Sequence, residues 1–360
     1  MNPLFEQQLL QTRRQFFGDT GIRLGGIALA SLLASQDRSR AVGSAVHPAL
    51  SDLPHFAGKA KSIIYLHMNG GPSQLDTWDY KPDLHKQFDK ALPKDFLGDR
   101  ITTMTSGQGT FPVAPSKYKF TQHGQSGRWV SELLPHTAKI ADDIAVVKSV
   151  YTNAINHDPA CTFVMTGSEV PGKPSMGSWV SYGLGAETND LPAFVSLVPN
   201  FPKGSNAQAL YSRMWGSGFL PGKYSGVVLR PGADPVLYLD NPPGVSPVDR
   251  RAMLDTLGKL NQRGFAKFGD PDIQTRISQY EMAYRMQSSV PELTDLSQES
   301  KAIKDLYGER VETPGSFTRS ALLARRLVER GVRMVQILHR GWDSHGNLPR
   351  ELGNQCLDTD

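Results

Sequence analysis

The sequence predicts an α/β fold with a largely parallel central sheet, and three observations carry that expectation. Short apolar runs recur without alternation, the pattern of strands buried on both faces. Stretches with helical spacing stand between these runs. The 34 glycines and 25 prolines imply many connecting loops, the usual place for binding and catalytic groups.

Taken in order, residues 62–68 (SIIYLHM) form the first expected strand, stopped by Asn69-Gly70-Gly71-Pro72. Residues 127–139 contain an amphipathic stretch expected to be helical. Residues 144–150 (IAVVKSV) read as the second strand and 194–198 (FVSLV) as the third. Between them, residues 175–184 open with Ser175 and carry Trp179 and Tyr182 on a predicted helix. Residues 199–245 are rich in Pro, Gly, Ser and Tyr without a sustained period, so they read as a loop-rich excursion or cap. A helical insert follows over 246–308. Ser246-Pro247-Val248-Asp249 supplies an N-cap with proline at the first helical position. Met253, Leu254, Leu257 and Leu260 continue at helical spacing, and a second helix is predicted from about 271 to 287. A third, about 316–330, is closed by Gly331 as a left-handed cap and feeds the fourth strand, 332–338 (VRMVQIL). There is no internal repeat.

The N-terminus reads as an address rather than as fold. Arg13-Arg14 precede Phe16-Phe17, and residues 24–34 (LGGIALASLLA) are uncharged but too short for a bilayer, which needs about 20 apolar residues. With small residues at Gly43 and Ala45, residues 1–45 are expected to be a cleavable signal of the twin-arginine class. The twin-arginine translocase is then the expected partner, and the mature protein is expected to be periplasmic or secreted with no stable membrane span. Roughly 315 residues would remain, one large domain or two small ones. A core of that size needs no disulfide staple. Cys161 and Cys356 either pair or stay as free buried thiols. A net charge of +4 is too small to argue for nucleic acid.

In open α/β sheets, ligands bind beyond the carboxyl ends of the strands. Asn69, Ser73, Asp76 and Asp79 follow the first expected strand, and His157 and Asp158 follow the second. His339, Asp343 and His345 follow the fourth. Three strand ends bearing Asp, Asn and His predict a divalent-metal pocket, whose oxygen and imidazole donors suit Zn²⁺, Mn²⁺, Mg²⁺ or Ca²⁺ over a soft metal. Asp343 and His345 stand two apart behind Trp342, so in extended chain both face one ion. His157 is the third expected ligand, and Asn69, Ser73 and Asp76 the expected substrate-facing wall. His67 reads as a core histidine, and Asp79 and Asp83 as turn and cap residues. No G-x-S-x-G elbow, phosphate-binding loop, dinucleotide fingerprint or H-E-x-x-H occurs.

Six segments in order resemble the DUF1501 family: the twin-arginine start, GGPSQLDTWDYKP, PSMGSWVSYGLG, YEMAYRMQSSVPEL, LLARRLVERGVRMVQI and GWDSHGN. The resemblance implies exported bacterial proteins related to sulfatases, within the alkaline-phosphatase-like superfamily. It implies a three-layer α/β/α sandwich over residues 46–360 and metal-dependent hydrolysis of a sulfate or phosphate ester. Set against sulfatases, the segment from Val150 to Gly167 keeps Pro159 and Thr166-Gly167. His157 stands where their formylglycine cysteine stands, Cys161 where their arginine stands, and Asn69-Gly70 where their paired aspartates stand. The resemblance also implies further strands and a later histidine-bearing segment beyond Asp360, so the chain is expected to be a fragment. Its sheet is then expected to have an unpaired edge, with residues from about 339 to 360 short of packing partners.

The leading expectation is an exported metal-dependent hydrolase of small-molecule or glycan esters. With no side-chain nucleophile in the sulfatase position, water is the expected attacking group. The alternative is a non-catalytic exported envelope or glycan-binding protein on the same fold. A third reading is a serine esterase using Ser175 or Ser73.

Overall fold

The computed structural model describes residues 49–50, 58–97, 107–232, 234–236 and 239–360. The expected signal segment, Arg13 and Arg14 included, lies outside them. The described strands are β1 (Ile63–Asn69), β2 (Phe120–His123), β3 (Arg128–Ser131), β4 (Phe194–Leu197), β5 (Val227–Leu229) and β6 (Met334–Arg340). Besides one turn at Lys94–Leu97, the described α-helices are α1 (His157–Thr166), α2 (Met176–Leu184), α3 (Pro247–Phe268), α4 (Pro271–Thr294), α5 (Lys301–Tyr307), α6 (Phe317–Glu329) and α7 (Leu348–Thr359).

Four strands form the central sheet in the order β1-β6-β4-β5, every pair parallel. β6 is the axis because its side chains find apolar partners on both faces. Val335 and Ile337 join Leu322, Leu323 and Leu327 of α6 on one side. Leu338 joins Cys161 and Met165 of α1 on the other. Helices therefore cover both faces, and the α/β expectation holds. Ser316 caps α6 by accepting the Arg319 N–H, and Gly331 (φ 87°) turns the chain straight into β6. β5, which lies inside the excursion, was not expected from the sequence.

The insert is a helical hairpin. Ser246 and Asp249 form a reciprocal capping box at the start of α3, and Gly269 closes that helix in the left-handed conformation. Arg251 of α3 grips Glu281 of α4 with two hydrogen bonds, of 3.0 and 2.6 Å. α4 then runs past the expected end at 287, because Val290 and Leu293 are buried in the main core.

Three local expectations are corrected. Residues 127–139 do not form the expected amphipathic helix; only a 3₁₀ turn at Thr137–Ile140 closes the stretch. Gly124 and Gly127 adopt positive φ, and the Asp142 carboxylate accepts the N–H groups of Gln125 and Ser126, so β2 and β3 fold into an antiparallel hairpin. Residues 144–150 are not a strand. The Arg128 guanidinium donates to the carbonyls of Ala141 and Ile144, which ties the start of this run to the hairpin, and Val147 and Val150 lie exposed. Residues 339–360 do not lack partners. They build α7, whose Leu352 and Cys356 pack on Trp342, and the Asp360 carboxylate accepts the N–H groups of His136 and Thr137.

Candidate metal centre

The carboxyl ends of β1 and β6 lie side by side, since Asn69 pairs with Arg340 and the Trp342 N–H donates to the Asn69 carbonyl at 3.3 Å. The two following loops nest closely. At Gly70 (φ 126°) a Cβ would stand 2.5 Å from the Asp343 nitrogen, so only glycine fits there. The β6 side of this junction is clamped by α7. Gln355 donates to the Gly341 carbonyl at 2.6 Å. Buried His339 joins Asp358 at 3.0 Å and accepts the Trp342 indole N–H at 2.9 Å. That bond makes Nδ1 the acceptor and leaves Nε2–H for Asp358. The residue after Trp342 is Asp343, so its backbone is held from two sides.

Three expected ligands meet at this junction. His157 opens α1 with its ring over Gly71, and its Nε2 lies 3.3 Å from the Asp343 carboxylate. The His345 Nε2 lies 2.9 Å from the same oxygen. One ligand atom from each of the three residues falls within 4.8 Å of the others. Two donors of a tetrahedral zinc ion, each about 2.0–2.1 Å from the metal, stand roughly 3.3 Å apart. The site has that scale.

The oxygen Asp343 Oδ2 is also crowded by two side-chain amides. Asn206 donates to it at 3.3 Å, and Gln208 donates to it as well. Sequence reasoning missed both, because they lie in the excursion read as a cap. The signal available was their i, i+2 spacing, the same as that of Asp343 and His345. Four nitrogens thus converge on one oxygen, which offers two lone pairs. The amides are obligate donors there, so the imidazoles lack room as further donors. One ligand atom each from His157, Asp343 and His345 is instead spaced as the ligands of one divalent cation would be. The imidazole and carboxylate donors are of types that could hold a divalent metal ion.

The expected wall residues divide. Asn69 is fully buried; its side-chain oxygen accepts the Cys161 thiol at 3.1 Å, and its amide points toward the Gln208 carbonyl at 3.5 Å. It stands one residue away from the triad in this network. Ser73 and Asp76 bond to each other at 2.7 Å in the turn after β1, and among the described residues no hydrogen bond joins them to the triad. Asp158, next to His157, is turned away to an ion pair with Arg213. His67 stacks on Tyr65 inside the α1-facing side of β1, and burial pushes its pKa down. Burial likewise raises the Cys161 thiol, which favours its role as a hydrogen-bond donor, and pushes Cys356 up to about 12. Both cysteines are free and buried, in separate clusters. Ser175 is buried as the cap of α2, bonded to Ser178, and offers no exposed nucleophile.

No helix among the described residues is long and apolar enough to cross a membrane. No curated protein and no solved structure matches the chain. The family model of DUF1501, a protein of unknown function, matches residues 60–360, and the chain belongs to that family.

Proposed function

We propose that this DUF1501 protein is an exported, metal-dependent hydrolase of sulfate or phosphate esters on an alkaline-phosphatase-like fold. The observation that carries the reading is the clustering of one ligand atom each from His157, Asp343 and His345 within 4.8 Å at the carboxyl ends of β1 and β6. Such an ion polarises an ester oxygen and lowers the pKa of a bound water. The chain's own residues supply the rest. Asp343 and the two histidines would hold the ion, and Asn206 and Gln208 fix the carboxylate's rotamer. His345 is the most exposed of the three, which leaves its side of the cluster open to an incoming ester. The resemblance to sulfatases in sequence supports the substrate class by analogy alone.

The test is elemental analysis beside turnover of aryl sulfates and aryl phosphates. The combined variant Asp343→Ala, His345→Ala is expected to lose bound metal while keeping its helical signal. Unchanged metal content, or none in the parent protein, rules the site out. A second reading, a non-catalytic envelope or glycan-binding protein, is favoured by one observation. Among the described residues no hydroxyl or thiol is hydrogen-bonded to the triad. Metal binding without turnover of any ester would select it.

Export by the twin-arginine route is proposed on the sequence Arg13-Arg14-Gln15-Phe16-Phe17. The change of both arginines to lysine is expected to retain the protein in the cytoplasm. Undiminished appearance in the periplasm would overturn it.

A further inference from the structure

The opposite end of the sheet holds a cavity of about 320 Å³ that the metal chemistry does not use. It lies where α2, α4, the start of β4 and the Gly222–Tyr224 turn meet, whereas the triad stands at the carboxyl ends of the strands. Its walls are mainly apolar. Phe194 and Val227 come from the sheet, and Met282 and Met286 project from one face of α4.

Two polar groups in this lining have unmet demands. Ser181 on α2 is 1% exposed, and its hydroxyl oxygen has no hydrogen-bond partner among the described residues. A buried hydroxyl left in that state has lost its water without a replacement. Lys223 also lines the cavity, and no carboxylate forms an ion pair with it among the described residues. Its ammonium lies 4.9 Å from the centre of the Tyr224 ring. Burial pushes the Lys223 pKa down, the expected behaviour of a cation with no anion to compensate its lost water.

We propose that this cavity is a binding site for a small amphipathic anion, a medium-chain carboxylate. Its head group sits between the Lys223 ammonium and the Ser181 hydroxyl, and its hydrocarbon chain lies among Phe194, Val227, Met282 and Met286. The methionines suit this role, since unbranched thioethers conform to a flexible chain. A cavity of this size is at the small end of ligand pockets and holds a chain of about ten carbons. The site is independent of the ester-hydrolase reading, because none of its residues belongs to the triad.

The test is calorimetric titration of the 360-residue protein with decanoate and, separately, decanol, both below micelle formation. Decanoate is expected to bind at one site per chain, and decanol roughly tenfold or more weakly. Lys223→Met is expected to weaken decanoate by a similar factor and leave decanol unchanged. Ser181→Ala is expected to weaken decanoate by a smaller factor. Metal content should stay constant in both variants. Absence of saturable decanoate binding, or equal binding of decanoate and decanol by the parent protein, overturns the proposal. That second comparison decides the matter even where Lys223→Met fails to fold.

Discussion

β1 and β6 are seven residues each, alike in apolar content and paired along their full length, yet their surroundings differ sharply. β6 has a strand on either side and helices on both faces. Ile337 is 0% exposed. Among the described residues β1 has a strand on one side only. Tyr65 and His67 face α1, but Ile64, Leu66 and Met68 look outward, and Leu66 is 57% exposed. The difference teaches that an unalternating apolar run states a demand for cover, while neighbours decide how far it is met. Both strands nevertheless deliver their last residues to the same junction, where His157, Asp343 and His345 converge.

The sharpest test of this contrast is truncation of matched positions. Ile337→Ala opens a cavity where nothing can collapse and is expected to cost about 2–5 kcal/mol. Leu66→Ala removes side-chain atoms already largely in water and is expected to cost less than about 1 kcal/mol. Urea unfolding of the two variants measures both. Equal losses would mean that β1 is covered in solution.

A smaller effect distinguishes the α1-facing side of β1 from its open side. Burial holds the His67 pKa below its ordinary value of 6.5. The unfolded chain therefore binds more protons than the folded one as pH falls through that value. Stability is complete above it and declines below it until the folded value is passed. His67→Gln should flatten the decline in thermal melts compared at about pH 7.5 and 5.5. A slope that survives the substitution assigns the loss to other histidines.

Much of this architecture was legible in the sequence, and the reasons are local. Ser246-Pro247 and Gly331 mark helix ends through backbone chemistry that no tertiary contact overrides, so α3 and α6 appear where expected. The convergence of Asp343 and His345 was legible because two residues two apart, just after an apolar strand, are delivered together to its carboxyl end. Residues 144–150 misled because β-propensity describes a half-buried surface, and the Arg128 guanidinium took the carbonyls at the start of the run. The hairpin at residues 120–131 was missed because its turn depends on Asp142, a partner outside the turn. Asn206 and Gln208 were hidden for a similar reason: their role is set by a carboxylate more than a hundred residues away.

The last and smallest effect on stability concerns the open edge itself. Among the described residues nothing pairs with the outer edge of β1, and Ile64, Leu66 and Met68 are exposed on one face. Val147, Val150 and Tyr151 add further exposed apolar side chains. Flat apolar edges pair with other chains, and a charge placed on the edge is the usual means of preventing this. Leu66→Lys is therefore expected to leave the melting temperature almost unchanged while reducing concentration-dependent association. Light scattering across a dilution series reads the change. The matching change Ile337→Lys would place an unpaired charge in the core and should abolish folding, so the two lysines separate an edge from an axis. A parent chain that stays monomeric at every concentration would show that the β1 edge is protected in solution, and the contrast between the two strands would then lie only in their packing.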